Sequence, residues 1–196
     1  MINAHLHTNQ DINLNDWTDE DLITTEIMPA TQLRLLTHRG SLSAYLREVT
    51  AQKIAYQFLH ADWSAAKTDE CPLLHIKASE KVWLREIHWH YQGEMWVHGS
   101  TIIPSNTLPV TKEGLDTLGG QSIGDILFQD KNLVRSNFQI RILTSDHPDF
   151  INACQTLAEK PALLWARRSV FYFHKQPLLV NEVFFPDIFE FMKTQA

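Results

Sequence analysis

Apolar residues first recur at helical spacing after Pro29, where Leu33, Leu35 and Leu36 form a stripe that Arg39 and Gly40 bring to a close. Ser41 then reads as an N-cap, with Leu42, Tyr45, Leu46 and Val49 on one face of a second short helix. From Lys53 to His60 the period falls to two, a strand, followed by a polar loop to Ser79. Val82–Tyr91 and Glu94–Ile103, joined by Gln92-Gly93, predict a hairpin ended by Pro104. With Tyr91 opposite Glu94, its register sets Arg85 against Ser100, Ile87 against His98 and Trp89 against Trp96. Thr111–Leu118 predicts a helix stopped by Gly119-Gly120, and Ser122 with Asp125 resembles a capping box for another. Val134–Ile142 alternates as one half-buried strand, Asp146 and Pro148 open a helix running towards Glu159, and Arg168–His174 with Pro177–Phe185 makes a last hairpin turning at Lys175-Gln176. The elements add up to an α+β fold: a single antiparallel β-sheet of about six strands, short helices packed on one side, and an enclosed ligand cavity.

The chain's 196 residues suit one domain, read here as 1–196 with a ragged terminus over residues 1–25. Seventeen Lys and Arg against 23 Asp and Glu give a net charge of −6, which argues against nucleic acid as a partner, so an anionic ligand needs a local pocket. The polar start lacks the pattern of a secretory signal, and no segment is apolar for long enough to suggest stable membrane insertion; a cytoplasmic location is expected. Cys71 and Cys154 are far apart and read as thiols rather than a disulfide.

Two residues sit oddly in this pattern. Arg85 shares its strand parity with Trp83, Ile87 and Trp89, so its guanidinium is expected to be partly buried and to need an acceptor: Glu86, Glu182 or a ligand carboxylate. From spacing alone an internal salt bridge is the simpler account. Glu182, between Val180 and Phe184 on its parity, is an acid on an apolar face, either paired or proton-active. Helix starts at Leu42 and Ile123 offer backbone amides to an anion. Arg167 and Arg168 read as a solvated pair at a strand entrance, and Arg135 and Arg141 as the polar parity of theirs. His88 and His90 share a face, but the hairpin register puts His98 on the other, so no metal site is expected. Nucleotide-binding loops and nucleophile-elbow motifs are absent from the sequence.

Five blocks in order, Trp83-Leu84-Arg85-Glu86-Ile87, Trp96-Val97 to Ile103-Pro104, Leu118-Gly119 to Ile123-Gly124 with Leu127-Phe128, Ala166-Arg167-Arg168-Ser169, and Pro177 to Glu182, resemble the chorismate pyruvate-lyase family. The similarity runs from Ser41 to Pro186. It implies conversion of chorismate to 4-hydroxybenzoate and pyruvate for ubiquinone biosynthesis, without metal or organic cofactor. It further implies that Arg85 and the backbone at Leu42 and Ile123 hold the ring carboxylate while Glu182 faces the ring hydroxyl. Arg135 and Arg168 are candidates for the enolpyruvyl carboxylate. Ser100 stands where relatives commonly carry arginine, and residues before Ser41 and from Asp146 to Leu164 match poorly. A monomer acting on small-molecule chorismate is the expectation. Two rivals are a non-catalytic module for small aromatic acids, related to the effector-binding domains of GntR-type regulators, and a metal-dependent hydrolase built on His88 and His90.

Overall fold

The computed structural model describes residues 12–51, 54–108 and 121–195. Its eight strands form one antiparallel sheet: β1 (Thr18–Asp19), β2 (Ala55–Ala65), β3 (Lys81–Tyr91), β4 (Glu94–Pro104), β5 (Val134–Arg135), β6 (Gln139–Leu143), β7 (Leu164–Phe173) and β8 (Gln176–Phe184). The order across the sheet is β1-β6-β7-β8-β4-β3-β2, with β5 also paired to β7. Six α-helices accompany it among the described residues: α1 (Ala30–Leu36), α2 (Leu42–Thr50), α3 (Cys71–Leu74), α4 (Gly124–Leu127), α5 (Pro148–Ala153) and α6 (Pro186–Thr194). The α+β class and the antiparallel sheet are as the periodicity predicts. The strand count is higher because β1 and β5 are two-residue pairings too short to leave a period.

Helices cover both faces of the sheet, not one. Leu35 and Leu36 of α1, Leu42 and Leu46 of α2 and Ile188 and Phe189 of α6 pack with Ile87, Trp89 and Phe184 on one face. On the other, Phe150 and Ala153 of α5 pack with Ala166 and Val183, and Leu74 of α3 with Val82, Ile102, Val170 and Leu179. The reason lies in β8, where Leu178-Leu179-Val180 and Val183-Phe184 are apolar on both parities and need cover on both sides. Helix α6 escapes the period reading, although Pro186 at its start and Ile188, Phe189 and Met192 at helical spacing were available to mark it.

The hairpin β3–β4 turns at Gln92-Gly93, both at positive φ, as predicted. Its register differs. Tyr91 faces Glu94, but a bulge inserts Trp96, so Trp89 faces Val97, His88 faces His98, Ile87 faces Gly99 and Arg85 faces Thr101. The extra residue turns its ring against Tyr91 and Phe191, and its carbonyl accepts the Phe185 N–H at 3.0 Å. His98 therefore shares a face with His88, their rings 5.1 Å apart.

Other boundaries move for local reasons. Strand β2 runs on to Ala65 because pairing with β3 carries its polar sequence along the sheet edge. The stretch 134–142 breaks between β5 and β6, where Glu20 accepts the Phe138 N–H and donates its own to the Phe138 carbonyl. That contact, with β1 and the Trp17 Nε1–H donated to Asp69, fastens residues 17–20, so this part of the expected ragged terminus is built into the fold. Helix α5 ends at Ala153, short of Glu159. The last hairpin turns at His174-Lys175, both left-handed, one residue before the predicted turn. The helix predicted over Thr111–Leu118 lies outside the described residues.

On the face of α3 and α5, His88 is buried at 1% exposure. Burial, then the neighbouring His98 and His90, lower its pKa to about 4. Burial alone would raise the Glu86 carboxyl, but the His98 hydrogen bond, the charges of His98 and His60 and the Asn152 amide outweigh it and hold the group below its ordinary value. For His88 the unfolded chain binds the proton between pH 6.5 and 4 while the folded chain does not, so stability is present above pH 6.5 and falls with acidification across that window. His88→Phe should flatten this decline by up to about 3 kcal/mol. Urea unfolding of both proteins at stepped pH measures it, and identical slopes would rule out His88 as the source.

Candidate active site

Between the sheet and the α1, α2 and α4 layer lies a pocket whose free space, including its opening, is about 480 Å³. Its floor is the face carrying Arg85, Ile87 and Trp89 of β3, Gly99 and Thr101 of β4, Val180 and Glu182 of β8 and Arg167 of β7; Ser100 also borders it. Gly40, Leu42 and Ser43 close one side, Ile123, Gly124, Leu127 and Phe128 another, and Arg135 with Phe171 the third. The described residues leave an opening to solvent, so they do not form the sealed cavity expected from sequence.

The walls meet at two helix starts. Ser41 caps α2 by accepting the Ala44 N–H, and its hydroxyl lies 2.9 Å from that of Ser43. Asp125 of α4 accepts Ser43 Oγ at 3.1 Å and both Arg47 Nη atoms, tying α2 to α4. In place of a full capping box, Asp125 faces α2, and only Ser122 serves the backbone, accepting the Gly124 N–H. A Cβ at Gly124 would press on Ser41 Oγ at 3.2 Å, and one at Gly40 would meet His38 Nε2 at 2.9 Å, so glycine permits both close approaches. Leu42 and Ile123 thus stand at adjoining N-terminal turns on the pocket wall.

Arg85 is 3% exposed, and its Nη2 donates to the Gln121 carbonyl at 2.6 Å. Burial lowers its pKa to about 10. Neither acid that sequence offered as a partner pairs with it. Glu86 turns to the opposite face, towards His98, His60 and Asn152, and Glu182 is bound by Arg167. The internal salt bridge inferred from spacing is replaced by a backbone carbonyl.

Glu182 accepts Arg167 Nε at 2.6 Å. Far from being solvated, Arg167 is 0% exposed; its Nη1 donates to the carbonyls of Leu35, Leu36 and His38, and the Phe138 and Phe184 rings flank it at 4.4 and 5.4 Å. Its Nη2 has no hydrogen-bond partner among the described residues. The break between β5 and β6 turns Arg135 inward. It stacks over Phe138 at 3.9 Å and Phe171 at 4.6 Å, and Nε donates to Ser169 Oγ. Burial first, and the Arg167 charge second, lower its pKa to about 9.

Arg168 goes the other way. Adjacent strand residues face opposite sides, and Arg168 pairs with Asp69 at 2.5 Å and stacks on Trp17 at 4.2 Å, away from the pocket. It is withdrawn as a candidate for the ligand. Arg167, missed by the sequence reading, takes its place in the lining; the available signal was that two neighbouring arginines in a strand buried on both faces must divide between them. Among the described residues no group of three or more His, Cys, Asp or Glu is arranged to hold a metal ion, although His88 and His98 do share a face.

The pocket therefore sets three guanidinium groups against one carboxylate, a local excess of two positive charges in a chain of net charge −6. Apolar and aromatic walls suit a flat ring, and the arginines suit carboxylates. A larger hollow on the opposite face, about 860 Å³, is lined by Lys67 against Glu70, Glu86 and Asp149, the wrong balance for a dianion.

Comparison with known proteins agrees with this chemistry. A probable chorismate pyruvate-lyase of Coxiella burnetii is 36% identical over 173 residues, covering 88% of this chain and 92% of that protein. A second, from Nitrosomonas europaea, is 33% identical over 78% of this chain and 85% of the relative. The C-terminal domain of the histidine utilization repressor from Pseudomonas syringae shares the fold, with a TM-score of 0.53 at 12% identity over 69% of this chain and 93% of that one. The effector domain of PhnF from Mycobacterium smegmatis does so at 0.52, with 14% identity over 73% and 88%. The sequence profile of the chorismate lyase family matches residues 13–194, and the chain belongs to that family.

Proposed function

We propose that this protein is a chorismate lyase, eliminating pyruvate from chorismate to release 4-hydroxybenzoate for ubiquinone synthesis in the cytoplasm. The observation that carries the reading is the excess of two buried positive charges around a ring-sized apolar pocket. Chorismate is a ring dianion, with one carboxylate on the ring and one on the enolpyruvyl group. Arg85, with the Leu42 and Ile123 backbone amides, would bind the ring carboxylate; Arg135 would bind the enolpyruvyl carboxylate, a task that Ser100 cannot share. Glu182 would accept a hydrogen bond from the ring hydroxyl.

The chemistry asks little more of the protein. The ether C–O bond breaks with its electron pair leaving on enolpyruvate, the hydroxyl-bearing ring carbon loses its proton, and aromatisation drives the step forward. Protonation of the enolate carbon then gives pyruvate. Catalysis on this account is positioning of the reactive conformer plus stabilisation of charge on the departing group. A second reading, ligand holding without turnover, draws on the fold shared with effector domains. Formation of 4-hydroxybenzoate from chorismate in the presence of EDTA, followed by absorbance, would establish the lyase; binding without product would favour the second reading, and loss with the chelator a metal-dependent one.

Arg85→Ala should weaken chorismate and 4-hydroxybenzoate together, each by about 3 kcal/mol, because both carry the ring carboxylate. Calorimetric affinities equal to those of the unaltered protein would remove Arg85 from the site. Glu182→Gln should lower kcat by about a hundredfold and KM much less if the carboxylate acts in the transition state, whereas a loss confined to KM would reduce its role to ground-state binding.

A further inference from the structure

Arg167 contacts no substrate group in the reading above, yet it is 0% exposed and each of its engaged edges serves the site. Its Nε holds Glu182 at 2.6 Å, from the position directly opposite in the β7–β8 register. Its Nη1 gathers the Leu35, Leu36 and His38 carbonyls at 3.1, 3.0 and 3.3 Å. Those carbonyls end α1 and begin the connector that continues through Gly40 to Leu42, on the pocket wall. A carboxyl on so apolar a face would otherwise favour its neutral form, and a neutral acid can donate where the ring hydroxyl needs an acceptor. A helix end left without donors would likewise lose its fixed position.

We propose that Arg167 is the positioning residue of this site: one guanidinium keeps the Glu182 carboxylate ionised and aimed, and with its other edge latches the α1–α2 connector against the bound ligand. The inference rests on the reading that Glu182 meets the ring hydroxyl. A planar fork with donors on separate edges can do both jobs, and a lysine ammonium can do only the first. The charged and titratable groups around Glu182 are Arg167 on β7, Arg85 on β3, Arg135 on β5 and His38 in the connector.

Two variants separate the two functions. Arg167→Gln should lower kcat about tenfold or more and move the acid limb of the kcat profile to higher pH, as the desolvated carboxyl begins to take up a proton in the working range. Adding Glu182→Gln to that variant should abolish the shifted limb; a limb that survives belongs to His38 and overturns the first function. Arg167→Lys should leave the acid limb in place, raise KM, and speed amide hydrogen exchange across residues 37–41. If Arg167→Gln does not accumulate as folded protein, the lysine variant carries the test alone: its profile and exchange rates matching the unaltered enzyme would overturn the proposal. Full activity in Glu182→Gln alone would instead show that the underlying assignment of Glu182 had failed.

Discussion

A buried ion pair between neighbouring strands constrains more of this molecule than any other contact. Arg167 and Glu182 lie directly across from each other where β7 meets β8, both almost without solvent access. Taking either partner away would strand an uncompensated charge, a loss of about 3–5 kcal/mol. The pair is stable because its remaining hydrogen-bonding capacity is used well: Arg167 also closes the open carbonyl end of α1, the helix that buries Leu35 and Leu36. Strand register, helix docking and the position of the acid in the pocket are consequently one coupled arrangement.

The same logic repeats across the central strands. Arg85-Glu86 on β3, Arg167-Arg168 on β7 and Asn181-Glu182 on β8 are adjacent polar residues, and the pleat sends one of each to either face. Glu86 and Arg168 enter a network with His98, Asn152 and Asp69 on the face of α3 and α5. Arg85, Arg167 and Glu182 gather on the other, where Arg135 joins them. The sheet thus separates charge between its faces, and only one face acquires a cationic excess that a ligand can neutralise.

How much of this was legible depended on whether a residue's role was set by its own strand. Arg85 and Glu182 were found because strand parity alone put them among large apolar neighbours, and both line the pocket. Ser41 was legible as a cap for the same local reason. Three other assignments needed information that lies elsewhere in the chain. The partner of Arg85 is the Gln121 carbonyl, and a backbone acceptor leaves no side-chain signature to read. Arg135 turns inward only because Glu20, more than a hundred residues away, breaks the strand at Phe138. The face of His98 depended on the Trp96 bulge, which Trp96 makes by packing on Tyr91 and the then unrecognised α6. Period-two reasoning counts residues, and a single inserted residue reverses every assignment beyond it.

The proposed chemistry places a limit on what the buried arginines can contribute. A clamp on the ring carboxylate acts equally on substrate, transition state and product, so the strength of Arg85 lowers KM and slows product departure without accelerating the step itself. The enolpyruvyl side is where the states differ: there the ether oxygen gains negative charge as its bond lengthens, and the carboxylate it carries leaves with it. Arg135, the guanidinium most raised in energy by burial and by its neighbour Arg167, is the group whose field strengthens most usefully as that charge appears. Its stacking between Phe138 and Phe171 fixes the cation in advance, so no reorganisation is needed at the moment of cleavage. Rate enhancement in this pocket accordingly belongs to the cation on the departing side, while the better-buried clamp on the ring determines how firmly the reactant and the product are held.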